Sequence, residues 1–158
     1  MAATIAGLST LGVSMSYGVE TTAGSKPETF SALDRINNIG GIAMDVEKID
    51  ASALEDTQTK YVAGRADTSG TWDLGVNFTN ETVAQWEALI TAYNTASAAG
   101  KQLWLQVNVP NQSDAFFVIA QPPQQIPMPE IGQNELLVMT ISMTVVEYKG
   151  WDTKVAVS

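Results

Sequence analysis

Carboxylates are the residues in this chain best equipped for chemistry. Glu55-Asp56 form an adjacent pair, and Asp45 and Glu47 stand two positions apart. Paired acids suit general acid–base work or a hard cation. On a strand, Asp45 and Glu47 share one face, so they are placed to share a metal. The plainer readings are a solvated loop for Glu55-Asp56 and a wet, acidic wall for Asp45 and Glu47. The chain has no His and no Cys. Imidazole bases, thiolate nucleophiles, disulfides and soft-metal sites are therefore ruled out. A Ser nucleophile would need a Lys or carboxylate partner, yet neither S-x-x-K nor G-x-S-x-G occurs. The stretch GRADTSG lacks the phosphate-loop lysine and does not open a helix. The expectation is a non-enzyme with no cofactor and no metal.

Composition turns the reading toward assembly. The 158 residues suit one domain with a real core. Charged residues make up 16% of the chain, against about 25% in ordinary soluble domains. So few charges suggest that other subunits cover part of the surface, because obligate interfaces resemble a core cut in half. The net charge of −9 argues against tight phosphate contact. No apolar run reaches the ~18–20 residues of a membrane span, so no membrane partner is expected. With no Lys or Arg before Lys26, the start lacks the basic segment of a signal peptide. The expected product is soluble and cytoplasmic.

Period and punctuation then place the elements. Residues 1–28 are small and apolar and read as an N-terminal arm, with a short strand possible where Leu11, Val13 and Met15 alternate with Gly12, Ser14 and Ser16. Residues 29–49 read as two short strands about Gly40-Gly41, with Ile42, Met44 and Val46 on an apolar face. Residues 50–70 read as a long irregular loop, ordered by a neighbour, since loops this long are commonly functional. TWDLGVNF, residues 71–78, alternates strictly and predicts a strand with Trp72, Leu74, Val76 and Phe78 inward. Residues 80–99 predict a helix, capped by Thr79 or Asn80, with Val83, Trp86, Leu89, Ile90 and Tyr93 on one face and Gly100 beyond its end. Two strand regions follow around Leu103–Val109 and Ala115–Ala120, then a proline-rich connector. The longest strand ends the domain, with Leu137, Met139, Ile141, Met143 and Val145 on one face and Thr140, Ser142 and Thr144 on the other. The fold class is mainly β: a β-sandwich or open barrel over residues 29–150 with one flanking helix, and a short tail at 151–158.

The run FSALDRINNIGGIAMDVEKIDASALEDTQTKYVAGRADTSGTWDLGVNF resembles the major tail tube proteins of long-tailed bacteriophages. Glu47, Ile49, Asp50, Ser52, Leu54 and Asp56 match one motif. Lys60, Tyr61, Gly64 and Asp67 match the next, and Gly70 and the Asn77-Phe78 strand end follow. The resemblance covers roughly residues 29–148. It implies a homo-hexameric ring that stacks into a tail tube and ejects genome DNA through its lumen without binding it specifically. It also implies a place in the virion tail, assembly in the host cytoplasm, and contacts with tape measure, tail terminator and tail tip proteins. On this reading Glu55, Asp56, Lys60, Tyr61 and Arg65 lie on an inter-subunit loop. Asp45 and Glu47, with Thr140, Ser142 and Thr144, are candidates for the lumen. The alternatives are an Hcp-like or contractile-tail tube subunit, or a monomeric glycan-binding sandwich with Trp104 or Trp151 as a platform.

Overall fold

Strict alternation gives the longest strand its position. The computed structural model describes residues 11–67 and 70–157. Its strands are β1 (Ser14–Val19), β2 (Ser31–Leu33), β3 (Ile36–Ile39), β4 (Asp45–Asp50), β5 (Tyr61–Asp67), β6 (Thr71–Asn77), β7 (Leu103–Asn108), β8 (Asp114–Gln121) and β9 (Val138–Thr153), and its helix is α1 (Asn80–Ala98). β9 buries Met139, Ile141, Met143 and Val145 and exposes Thr140, Ser142 and Thr144. β6 buries Trp72, Leu74 and Val76 against the same cluster. Phe78 falls beyond the end of β6 and is half exposed, because the chain turns there into the helix.

Seven strands form one antiparallel sheet in the order β2-β1-β7-β8-β9-β6-β3. Its two edge strands, β2 and β3, are consecutive in the chain, and only Asp34 and Arg35 separate them. The sheet must therefore curl until its edges nearly meet, which makes an open barrel in which one bent segment serves both edges. Arg35 takes the turn with φ +57, a left-handed conformation that non-glycine residues seldom adopt. The bend is clamped to the helix. The Asp34 amide donates to Gln85 Oε1 at 2.9 Å, and Gln85 Nε2 donates to Asp34 Oδ2 at 2.8 Å.

The curl encloses the principal core, into which α1 lays Trp86 and Leu89. The helix starts at Thr79, whose Oγ1 accepts from the Thr82 amide while Thr82 Oγ1 accepts from the Thr79 amide. This reciprocal pairing satisfies two otherwise orphaned donors. Thr82 Oγ1 also donates to the Asn77 carbonyl at 2.7 Å, fixing the turn from β6. The helix ends at Ala98, and Gly100 follows with φ +74.

β7 and β8 are buried on both faces. Leu103, Leu105, Val107, Phe116 and Val118 enter the principal core, while Trp104, Phe117 and Ile119 meet Phe30 in a second cluster. The segment expected as an arm supplies β1, paired along its length to β7, with Met15 buried; the first ten residues of that arm lie outside the described residues. The expected tail is also part of the sheet. β9 continues to Thr153, and Val155 is held by Gln106, whose amide side chain donates to its carbonyl at 3.1 Å and accepts from its N–H at 2.9 Å.

The expected loop over residues 50–70 needs correction. Tyr61–Asp67 is a strand that pairs with Asp45–Asp50, so residues 51–60 are the irregular link of a two-stranded hairpin, while Thr68 and Ser69 of the expected loop lie outside the described residues. Every residue of β4 is exposed, including Val46, and Met44 just before it is exposed as well, so the expected apolar inner face at Ile42, Met44 and Val46 does not form there. With no face buried, nothing imposes a period of two on the sequence, and the backbone ladder alone makes the strands.

The alternation of β9 gives a sharp test. Ile141→Ala removes a fully buried side chain and is expected to cost about 2–5 kcal/mol. Thr140→Ala on the opposite face is expected to change stability by no more than about 0.5 kcal/mol. Urea denaturation midpoints measure both.

Candidate assembly surfaces

The hairpin sets its tip by local hydrogen bonds. Asp50 Oδ1 accepts from the Ser52 amide at 2.9 Å, and Ser52 Oγ accepts from the Lys60 amide at 2.7 Å. Asp56 Oδ2 accepts from the Ala53 amide at 2.8 Å, and Asp56 Oδ1 lies 3.1 Å from Lys60 Nζ. The Ala51 amide donates to the Lys60 carbonyl at 2.8 Å, closing the loop. The motif residues Asp50, Ser52, Asp56 and Lys60 therefore build the turn themselves. Their product is Leu54, held at the tip with 106% relative exposure. The expectation that a neighbour orders this loop is thus modified, since its turn already has internal partners. The Ser52 amide, with its hydroxyl, holds the Asp50 carboxyl below the usual aspartate range; the Ala53 amide, then Lys60, does the same for Asp56.

The hairpin's walls are amphipathic without being buried. The register pairs Ile49 with Val62, and Asp50 with Tyr61. All three apolar members, with Val46 and Met44, are exposed. The ladder slips between Val46 and Lys48, where β5 carries an extra residue. Gly64 lies at this bulge, and a Cβ there would stand 3.1 Å from the Glu47 carbonyl oxygen and 3.3 Å from its Cβ. So many uncovered apolar side chains on one element make the hairpin a candidate interaction surface.

The expected inter-subunit residues all lie on this hairpin. Asp56, Lys60 and Tyr61 surround the turn, with Tyr61 59% exposed. Glu55 is exposed beside Leu54, and Arg65 is exposed on β5, making no ion pair among the described residues. Asp45 and Glu47 are exposed on β4. Thr140, Ser142 and Thr144 lie elsewhere, on the open face of the seven-stranded sheet, so the structure does not bring the two groups of lumen candidates into one strand pair. The hydroxyl row has company that went unassigned. Thr144 pairs with Thr71, Ser142 with Asp73 and Thr140 with Gly75. Ser142 Oγ donates to Asp73 Oδ1 at 2.7 Å, and Asn37 Nδ2 donates to Asn77 Oδ1 at 2.6 Å. Alternation in TWDLGVNF marks Thr71, Asp73 and Asn77 as outward, but only the strand register sets them beside β9. The face is polar and uncharged apart from Asp73.

Trp104 is no platform. It is buried, and its Nε1 donates to Glu20 Oε2 at 2.9 Å. Burial pushes the Glu20 carboxyl up, but hydrogen bonds from Trp104 and the Gln102 and Gly24 amides, with the Lys149 charge, outweigh it and leave the pKa lowered. Trp151 is half exposed and stacks edge-on to Phe116 at 5.5 Å. Among the described residues no cluster of acids is arranged to hold a metal ion, and no helix is long and apolar enough to cross a membrane.

No family model and no curated protein matches the chain. Solved structures do. A chain in the six-fold symmetrised anti-feeding prophage baseplate aligns with a TM-score of 0.55 and 12% identity, over 95% of this chain and 97% of that one. A chain in the tail of the empty gene transfer agent particle, refined with C6 symmetry, aligns with a TM-score of 0.55 and 13% identity, over 90% and 95%. A chain in the native gene transfer agent virion aligns with a TM-score of 0.51 and 13% identity, over 78% and 89%. At such identities the likeness establishes the fold, and the particles in which that fold recurs are a baseplate, a tail and a virion.

The tip network has a pH signature. Both folded carboxyl pKa values lie below those of the unfolded chain, so their contribution is fully present above the ordinary aspartate range. It is lost as pH falls through the depressed folded values. Amide exchange at Ser52 and Ala53, read by NMR, is expected to be slow near neutrality and to lose its protection only below that range. Asp56→Ala, which removes the acceptor, is expected to abolish the protection at Ala53 at every pH.

Proposed function

We propose that this chain is a structural subunit of a phage-like tail: a hexameric ring that stacks into the tube through which genome DNA is ejected. The observation that carries the proposal is the projecting β4–β5 hairpin. A folded domain exposes Leu54, Tyr61, Val62, Ile49 and Val46 together on a two-stranded element that pairs with no other strand among the described residues. Such an element is explained by a neighbour. The likeness in fold to chains of six-fold tail and baseplate particles supports the same reading. Contacts between a hairpin on one copy and a different surface on the next are heterologous, the kind that closes rings and extends filaments.

The charge fits a conduit. With a net charge of −9, an assembled wall repels phosphate and lets DNA slide. Thr140, Ser142 and Thr144, with Asp73 and Asn77, form an even polar strip suited to a lumen. Asp45 and Glu47 supply the acidic alternative. Tape measure, terminator and tip proteins are the expected partners at the tube's ends. A ring within the baseplate is the second reading, favoured by the likeness to the prophage baseplate chain.

The double variant Tyr61→Ala, Arg65→Ala tests the role of the hairpin. Both side chains are exposed, so circular dichroism and the denaturation midpoint are expected to stay within about 0.5 kcal/mol of the parent. Polymer growth, followed by light scattering and sedimentation, is expected to slow at least about tenfold, which corresponds to ~1.4 kcal/mol. Growth at the parent rate would remove the hairpin from the interface.

A further inference from the structure

The outer face of β7 and β8 carries Trp104, Phe117, Ile119 and Ala115, all buried. Much of their cover comes from residues 20–30, the link between β1 and β2. This link does not run on as a hairpin. It crosses Gly18 of β1, where an added Cβ would stand 2.6 Å from the Thr29 carbonyl oxygen and 3.2 Å from Pro27 Cβ. Lys26 Nζ sits 4.0 Å above the centre of the Phe117 ring, and Phe30 packs on the same ring at 5.8 Å. We propose that residues 20–30 form a strap that acid releases from this face while the barrel stays folded. The proposal stands apart from the assembly reading above.

Two carboxylates pin the strap. At its start Glu20 is buried, with Oε1 accepting from the Gln102 amide at 2.9 Å and Oε2 from Trp104 Nε1 at 2.9 Å. Both oxygens therefore face donors, and charge-assisted bonds of this kind are the strong ones. A proton on the carboxyl removes the charge and adds a donor among donors. Lys149 of β9 is the cation that acts on Glu20; it lies 5.3 Å above the Trp104 ring and is itself paired with Glu147 at 2.9 Å. Further along, Lys26 Nζ donates to the Thr153 carbonyl at 2.6 Å and lies 3.5 Å from Asp152 Oδ2. Both acids are held below their usual ranges. For Glu20, burial works the other way and the hydrogen bonds from Trp104 and the Gln102 and Gly24 amides outweigh it. For Asp152, the Thr153 amide leads and Lys26 adds to it. The docked strap is thus fully favoured above the ordinary carboxylate range and loses its pins as pH falls through the lowered values. Between its anchors the strap has little else to hold it. Residues 21–25 are exposed, and the principal core contains none of the strap. Such a segment opens locally at a lower cost than the sheet beneath it.

Hydrogen exchange read by NMR, as the pH is lowered from neutrality, tests this directly. The Trp104 indole N–H and the Gln102 amide report on the strap; the Met139 and Ile141 amides report on the barrel. The first pair is expected to lose protection in one step below the ordinary glutamate range, while the second pair keeps its protection. Loss of all four in a single step, or no loss at the strap before the barrel unfolds, would overturn the proposal. Glu20→Gln keeps the side chain's shape without its charge. In that variant, protection at Trp104 and Gln102 is expected to fall at least about tenfold already near neutrality, with the barrel amides unchanged. A profile matching the parent's would overturn the role of Glu20. Lys26→Gln weakens the second pin, so the strap is expected to open at a higher pH than in the parent. An unchanged midpoint would contradict release of the strap as one unit.

Discussion

The whole fold depends on the bend at Asp34-Arg35. One short segment pairs with β1 on its first half and with β6 on its second, so the two edges of a seven-stranded sheet are tied together by two residues. That tie forces the curl, and the curl gives Met139, Ile141, Met143, Trp72 and Met15 a common interior. The strained Arg35 backbone is held by the Asp34–Gln85 pair, which also fixes the helix against the seam. Release of the bend would open the sheet and leave Trp86 and Leu89 with nothing to pack on.

The same bend decides what remains outside. Beyond β3 the chain has left the barrel, and it returns only at β6. The excursion between them is the β4–β5 hairpin. Because it leaves the sheet there, Val46, Ile49, Leu54, Tyr61 and Val62 face water in the single chain. A repeating assembly would give them cover and would also account for a chain so poor in charge.

How far the sequence disclosed this varies with burial. β9 and β6 were legible because one face of each is buried and the other wet, so Met139 to Val145 and Trp72 to Val76 alternate. The helix was legible through Trp86, Leu89 and Thr79. Thr82, buried at its first turn, was not, since a capping threonine looks like any surface threonine. β5 escaped because neither face is buried, leaving YVAGRAD without a period. β1 was only half visible among small residues, where Met15 is its one large buried side chain. Contacts across the chain were out of reach altogether. Nothing local ties Glu20 to Trp104, or Gln106 to Val155. The motif residues form a recognisable pattern, but their physical task is plain only from the hydrogen bonds: Asp50, Ser52, Asp56 and Lys60 make a turn that leaves Leu54 exposed at its tip.

Electron microscopy of the purified chain across a concentration series is the most direct measurement of the central claim, that this fold is completed by copies of itself. The account predicts rings or stacked tubes with six-fold symmetry, in which the hairpin of each copy is covered by another. Monodisperse single subunits at the highest attainable concentration, with the hairpin still open to solvent, would contradict it.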